Sequence, residues 1–168
     1  MILCRSREEA DAALSLVRHW AEAAKLTLHP TKTKIVDAVQ GGFDFLGYQF
    51  KRGERLPRAK SLKKLKDTIR QKTRRVGGHS LDYIIASVNR TLRGWFGYFK
   101  HVTKRYVFEA IDRWVRMRLL SILRKRSGRR GKARRGADNW RWPNAFFAER
   151  GLFNLEAAHV LACQSSRR

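Results

Sequence analysis

What most constrains this chain is where its charge lies. Residues 1–50 hold six basic side chains (Arg5, Arg7, Arg18, Lys25, Lys32, Lys34) and six acidic ones (Glu8, Glu9, Asp11, Glu22, Asp37, Asp44), so they are neutral. The whole net charge of +24 therefore falls on residues 51–168, which carry 32 basic against 8 acidic groups. A compact globule with that imbalance repels itself unless a polyanion supplies counter-charge. Nucleic acid is the common polyanion, and neutralising its phosphates releases condensed counterions. Composition argues against general disorder, because 43% of the residues are hydrophobic and five Trp and nine Phe suffice for a core. No stretch reaches the ~18 apolar residues of a membrane span. No basic amphipathic helix with a clean apolar face dominates, which weakens a membrane surface as partner. The N-terminus lacks the charged-then-apolar pattern of a signal peptide, so the expected location is the cytoplasm.

Patterning divides the chain. Ile2–Cys4 is a short apolar run that suits the tail of a strand. Ser6-Arg7-Glu8-Glu9 reads as a capping box, with Glu9 returning to the backbone N–H of Ser6, and the apolar spacing predicts a helix over 6–25. His29-Pro30 breaks it. Ile35–Val39 and Phe43–Phe50 read as two strands joined by a Gly41-Gly42 turn, with Gly47 allowing a bulge or a close backbone approach. Lys51–Lys60 is polar, contains Gly53 and Pro57, and reads as a linker. Leu62, Leu65 and Ile69 space a helix that Gly77-Gly78 should end, and Ser80 should cap the next. The following helix carries the stripe Ile84, Ile85, Val88, Leu92, Phe99. In it, the spacing of Gly94 and Gly97 predicts a close helix contact or a kink. Tyr106, Ile111, Val115 and Leu119 mark a further helix. Eight of the twelve residues Arg124–Arg135 are Lys or Arg, so this stretch is expected to be a flexible basic loop. Trp140, Trp142, Phe146, Phe147 and Phe153 should then dock on the bundle. The expected fold class is α+β: a strand–helix–β-hairpin unit over 1–50, a linker over 51–60, and a mainly helical unit over 61–168 with its basic loop at 124–136.

Catalytic constellations are absent from the sequence. There is no P-loop, GxSxG or HExxH pattern, and Cys4 and Cys163 stand alone, as expected of inert thiols. The five histidines lack ligand spacing, and no carboxylate pair is spaced for a two-metal site. Neither a cofactor nor a metal is expected.

Four short patterns occur in a recognisable order. They are Leu26-Thr-Leu-His-Pro-Thr-Lys-Thr-Lys-Ile35, Phe43-Asp-Phe-Leu-Gly-Tyr-Gln-Phe50, Asn89-Arg-Thr-Leu-Arg-Gly-Trp-Phe-Gly-Tyr-Phe99 and Asp112-Arg-Trp-Val-Arg-Met-Arg-Leu119. Together they resemble the last palm motifs, the thumb and the maturase domain (domain X) of bacterial group II intron reverse transcriptases. The resemblance covers essentially the whole chain. It implies that 1–50 is a palm remnant beginning just after the family's Tyr-Ala-Asp-Asp turn, so that the metal-binding aspartates are missing and the chain is not itself an enzyme. His29 and Thr31 depart from the family's usual Asn and Glu around this proline.

The implied function is binding of structured group II intron RNA, or of an RNA/DNA duplex, to assist splicing and mobility. Alternatives are the C-terminal part of a split reverse transcriptase, and a degenerate remnant with non-specific binding only. Phe45, Leu46, Gly47 and Tyr48 correspond to the primer grip, and Lys32 and Lys34 either face nucleotide or template or are simply solvated. The candidate RNA contacts on the first thumb-like helix are Lys60, Lys63, Lys64, Lys66, Arg70, Lys72, Arg74 and Arg75, among which Asp67 is the only acid. Arg90, Arg93 and Tyr98 follow on the next helix, where Trp95 and Phe99 are read as core. Arg113, Arg116 and Arg118 are candidate phosphate anchors, since the guanidinium fork suits bidentate contacts. Arg124, Lys125, Arg126, Arg129 and Arg130 belong to the basic loop.

Overall fold

The computed structural model describes residues 1–129 and 136–165. The N-terminal helix α1 spans Arg7–Ala23, and the Ser6 hydroxyl accepts from the backbone N–H of Glu9, as the capping box requires. The returning Glu9 carboxylate bonds the backbone N–H of Arg5 at 2.7 Å instead of that of Ser6. Only Ala21 of α1 is buried, and Leu16 and Trp20 are 72% and 66% exposed.

The expected two-strand hairpin is a three-stranded antiparallel meander shifted along the chain. Its strands are β1 (Phe43–Phe45), β2 (Tyr48–Lys51) and β3 (Glu54–Pro57). Ile2–Cys4 and Ile35–Val39 form no strand. The reason lies at Asp37, whose carboxylate accepts from the N–H groups of Val39 (2.7 Å) and Gln40 (3.0 Å). Its carbonyl accepts from Gly41 and Gly42, so the donors a ladder would use are consumed in a turn. The strands are joined by the two-residue turns Leu46-Gly47 (φ 46° and 78°) and Arg52-Gly53 (φ 50° and 74°). Positive φ at both central positions gives the primed turns whose twist matches a hairpin. Gly53 is thus in a hairpin turn, and the 51–60 segment read as a linker holds the end of β2, this turn, β3 and the start of a helix.

That helix, α2 (Ala59–Lys72), packs with α3 (Leu81–Phe99) and α4 (Tyr106–Arg126), while the short α5 (Ala137–Arg141), α6 (Asn144–Glu149) and α7 (Leu155–Ser165) close the bundle. Ile69, Val88, Leu92, Phe108, Leu119 and Leu155 are fully buried at its centre. α2 stops at Thr73, ahead of Gly77-Gly78, because the backbone N–H and the hydroxyl of Thr73 both close on the Ile69 carbonyl. Ser80 caps α3 as expected, accepting from Tyr83 N–H at 3.2 Å. A Cβ at Gly94 or Gly97 would meet nothing within 4 Å among the described residues, so neither glycine serves a close contact with the described helices. Arg124–Arg126 form the last turn of α4 and not a loop, and Arg130 lies outside the described residues. The overall class is α+β, with a small early sheet and a helical bundle.

Two polar clamps hold the C-terminal elements. Buried Asn89 on α3 donates to the Gly151 carbonyl (2.7 Å) and accepts from Phe153 N–H (2.8 Å), fixing the turn before α7. Asp112 on α4 accepts from the N–H groups of Leu155 (3.1 Å) and Glu156 (3.0 Å), the first donors of α7. Asn154 takes the Ala157 N–H at 2.7 Å. These are the orphan groups that any helix start must satisfy.

Candidate nucleic-acid interface

The α2 stripe of Leu65 and Ile69 turns inward against α3 and α4, which leaves most of its cations outside. Lys60, Lys63 and Lys64 are exposed, as are Arg74 and Arg75 just past the end of the helix. Lys66 and Arg70 sit over the ring of Trp114 on α4, at 6.0 Å and 5.6 Å from its centroid. Arg70 also pairs with Asp67 at 2.6 Å, so the one acid on this face is already matched. Lys72 differs from its neighbours, because its ammonium is part-buried and donates to the Ser87 carbonyl of α3 at 2.9 Å.

The three arginines of α4 have three different surroundings. Arg113 is exposed and makes no polar contact among the described residues. Arg116 is half-buried and donates to the Asn139 side chain at 2.5 Å. Arg118 reaches back to the end of α2, donating to the Thr73 hydroxyl (3.0 Å), the Thr73 carbonyl (2.9 Å) and the Arg70 carbonyl (3.4 Å). It acts as a cap on unpaired helix carbonyls, where positive charge is favoured. Burial, then the neighbouring Arg70 and Arg75, lower its pKa.

Further along, Arg124 is turned inward. Its guanidinium contacts both oxygens of fully buried Asp138, at 3.0 and 3.1 Å, and ties α5 to the end of α4. Arg129 approaches the same carboxylate at 3.9 Å, Arg126 donates to the His79 carbonyl, and Lys125 is exposed. On α3, Arg90 is exposed and Arg93 lies 5.5 Å over the Phe153 ring. Phe99 is buried and Trp95 packs against it at 4.6 Å, in keeping with their reading as core. Trp140, expected to pack, is 91% exposed on α5.

The Phe45–Tyr48 hairpin is bolted to α3. Tyr48 donates its hydroxyl to the Tyr98 carbonyl and Tyr98 donates its own to the Leu46 carbonyl, each at 2.5 Å. Gly47 faces Ser61 and Phe99, whose atoms lie 3.4 and 3.5 Å from where its Cβ would stand. The close approach that this glycine permits is therefore to the protein's own helices. Phe45 and Leu46 remain exposed at the tip, while Tyr48 is half-buried, and burial raises its pKa. Lys32 and Lys34 are solvent-exposed.

Sequence reasoning missed the clamping residues. Asn89 and Asp112 open two of the quoted patterns, yet an isolated polar residue beside an apolar stripe carries no sign of which distant backbone it will satisfy. Among the described residues, no group of three or more His, Cys, Asp or Glu is arranged to hold a metal ion, and no helix is long and apolar enough to cross a membrane.

Comparison with known families gives this arrangement a context. No curated protein matches the chain. Residues 62–142, from α2 through α5, match the family described as group II intron, maturase-specific domain. The stretch that carries most of the exposed cations of α2 and α4 is thus similar to a group II intron maturase-specific domain.

Proposed function

We propose that this chain binds group II intron RNA and assists its splicing and mobility, with the protein supplying counter-charge and shape recognition and the RNA supplying the chemistry. The observation that carries this reading is the outer face of α2. Exposed Lys60, Lys63 and Lys64 on the helix, with Arg74 and Arg75 just past its end, accompany one ion-paired acid, and Lys66 and Arg70 flank Trp114 on the adjoining helix. A face that was merely solvated would mix signs. Exposed Arg90, Arg113 and Lys125 extend the positive surface across α3 and α4, with Arg129 just past the end of α4. Arg118, Arg124 and Lys72 contribute to binding only by holding that surface in shape.

The test is a salt-titrated binding series with group II intron RNA, an unrelated RNA of equal length, and duplex DNA. Log affinity should fall against log salt by roughly 0.7–0.9 for each phosphate contact. The intron RNA should bind tighter than the unrelated RNA at every salt concentration. A slope near zero removes phosphate contacts as the driving force, and equal affinities leave only the non-specific remnant.

A second reading is favoured by the exposed apolar residues Ile2, Leu3, Leu16 and Trp20 and by the open edge of β1, which suit docking against a separate polymerase palm chain. Primer extension that appears only on mixing the two chains would establish it.

A further inference from the structure

Between α4 and α6 runs an open groove of about 820 Å³, within the range of sites that take small organic groups. Its charge is unlike the rest of the bundle. Arg105 engages Glu109 (3.0 Å) and Glu156, and the Asp112 carboxylate is spent on the start of α7. In a chain of net charge +24, this is a locally balanced surface and a poor sink for phosphate.

Beside Arg113 and the Nε of Arg116, what the groove leaves uncommitted is amide chemistry. Asn144, exposed in the first turn of α6, has no side-chain partner among the described residues. Asn139 and Asn154 use only their oxygens, toward Arg116 and Ala157, and their NH2 groups make no bond among the described residues. Apolar groups line the same groove, with Phe147 buried and Leu152 and Phe153 half-buried. Carboxamides beside apolar surface suit a flat, uncharged group with hydrogen-bonding edges. An unstacked nucleobase is such a group, and RNA readers take splayed-out bases in this way. Arg113 lines the groove while the next residue, Trp114, sits under Lys66 and Arg70, so α4 joins the groove to the cationic face.

We infer that the groove between α4 and α6 receives a single unpaired base of RNA whose backbone lies along α2 and α4. This rests on the proposed RNA binding and adds a subsite to it. The experiment compares an RNA duplex with the same duplex carrying one bulged 2-aminopurine. The bulged RNA should bind about tenfold tighter, the discrimination of one good amide–base contact, and its fluorescence should rise on binding. Asn144→Ala and Ala148→Trp, both at exposed positions and checked for an unchanged melting temperature, should abolish the preference and leave duplex affinity as it was. Duplex binding with no bulge preference, or a preference that survives Ala148→Trp, overturns the inference alone. Failure to bind either RNA overturns the proposed function, and this subsite with it.

Discussion

Residues of like charge on this chain do unlike work, and substitutions should separate them. Arg118→Met keeps the aliphatic stem but uncaps α2, and should cost about 1–2 kcal/mol of stability while leaving the salt slope of RNA binding unchanged. Arg113→Met should leave the melting temperature alone and lower that slope by roughly one contact, about 0.7–0.9. Identical outcomes for the two would remove the distinction. Asp112 offers a pH test. Burial pushes its carboxyl up to about 6, against the lowering effect of its two backbone bonds. The folded state thus holds this proton more tightly than the unfolded state, whose carboxyl titrates near its ordinary value of about 4. Below that ordinary value the raised carboxyl carries no penalty. The penalty develops as pH rises toward 6 and persists above it. Relative to Asp112→Asn, the natural protein should gain stability as pH falls from 6 to 4, read from denaturant melts. A flat difference across that window would show that the group is not desolvated as described.

Helices were far more legible in the sequence than strands were. The stripe Ile84, Ile85, Val88, Leu92, Phe99 and the Ser80 cap fix α3 almost to the residue, because a 3.6-residue period over five turns is hard to mimic. The meander was misplaced because its turns are Leu-Gly and Arg-Gly where Asn-Gly or Asp-Gly would have announced them, and because Asp37 withdraws donors from a β-branched run. Of the candidate interface, the basic face of α2 was readable, since a cationic helix surface is a local property. Which arginines turn inward was not. Arg124 meets Asp138 and Arg118 meets Thr73 only after the helices have packed, 14 and 45 positions apart. The glycines of α3 give a test at this scale. With open space around both, Gly94→Ala and Gly97→Ala should each stabilise the protein by about 1 kcal/mol through helix propensity alone. Tighter RNA binding by the glycine forms than by the alanine forms would indicate that a ligand backbone uses this smooth strip.

For the whole molecule, charge and core pull in opposite directions. The apolar centre of α2, α3 and α4 must hold together a body whose surface repels itself. Raising sodium chloride from about 50 mM to about 500 mM shortens the Debye length from more than ~10 Å to a few ångströms. The melting temperature of the free protein should therefore rise with salt while RNA affinity falls. A melting temperature that drops with salt would mean that ion pairs outweigh repulsion.

The bond pair between Tyr48 and Tyr98 bears on how such a bundle can be cut out or transplanted. The family match begins at Leu62, but Gly47 and Tyr48 lie against Phe99 and its neighbour Tyr98, and Ser61 donates to the Gly47 carbonyl. A polypeptide started at Leu62 would bare Phe99, now only 5% exposed, and strip α2 of its first turn. A graft meant to fold on its own should start no later than Phe43, so that the meander travels with the helices it braces.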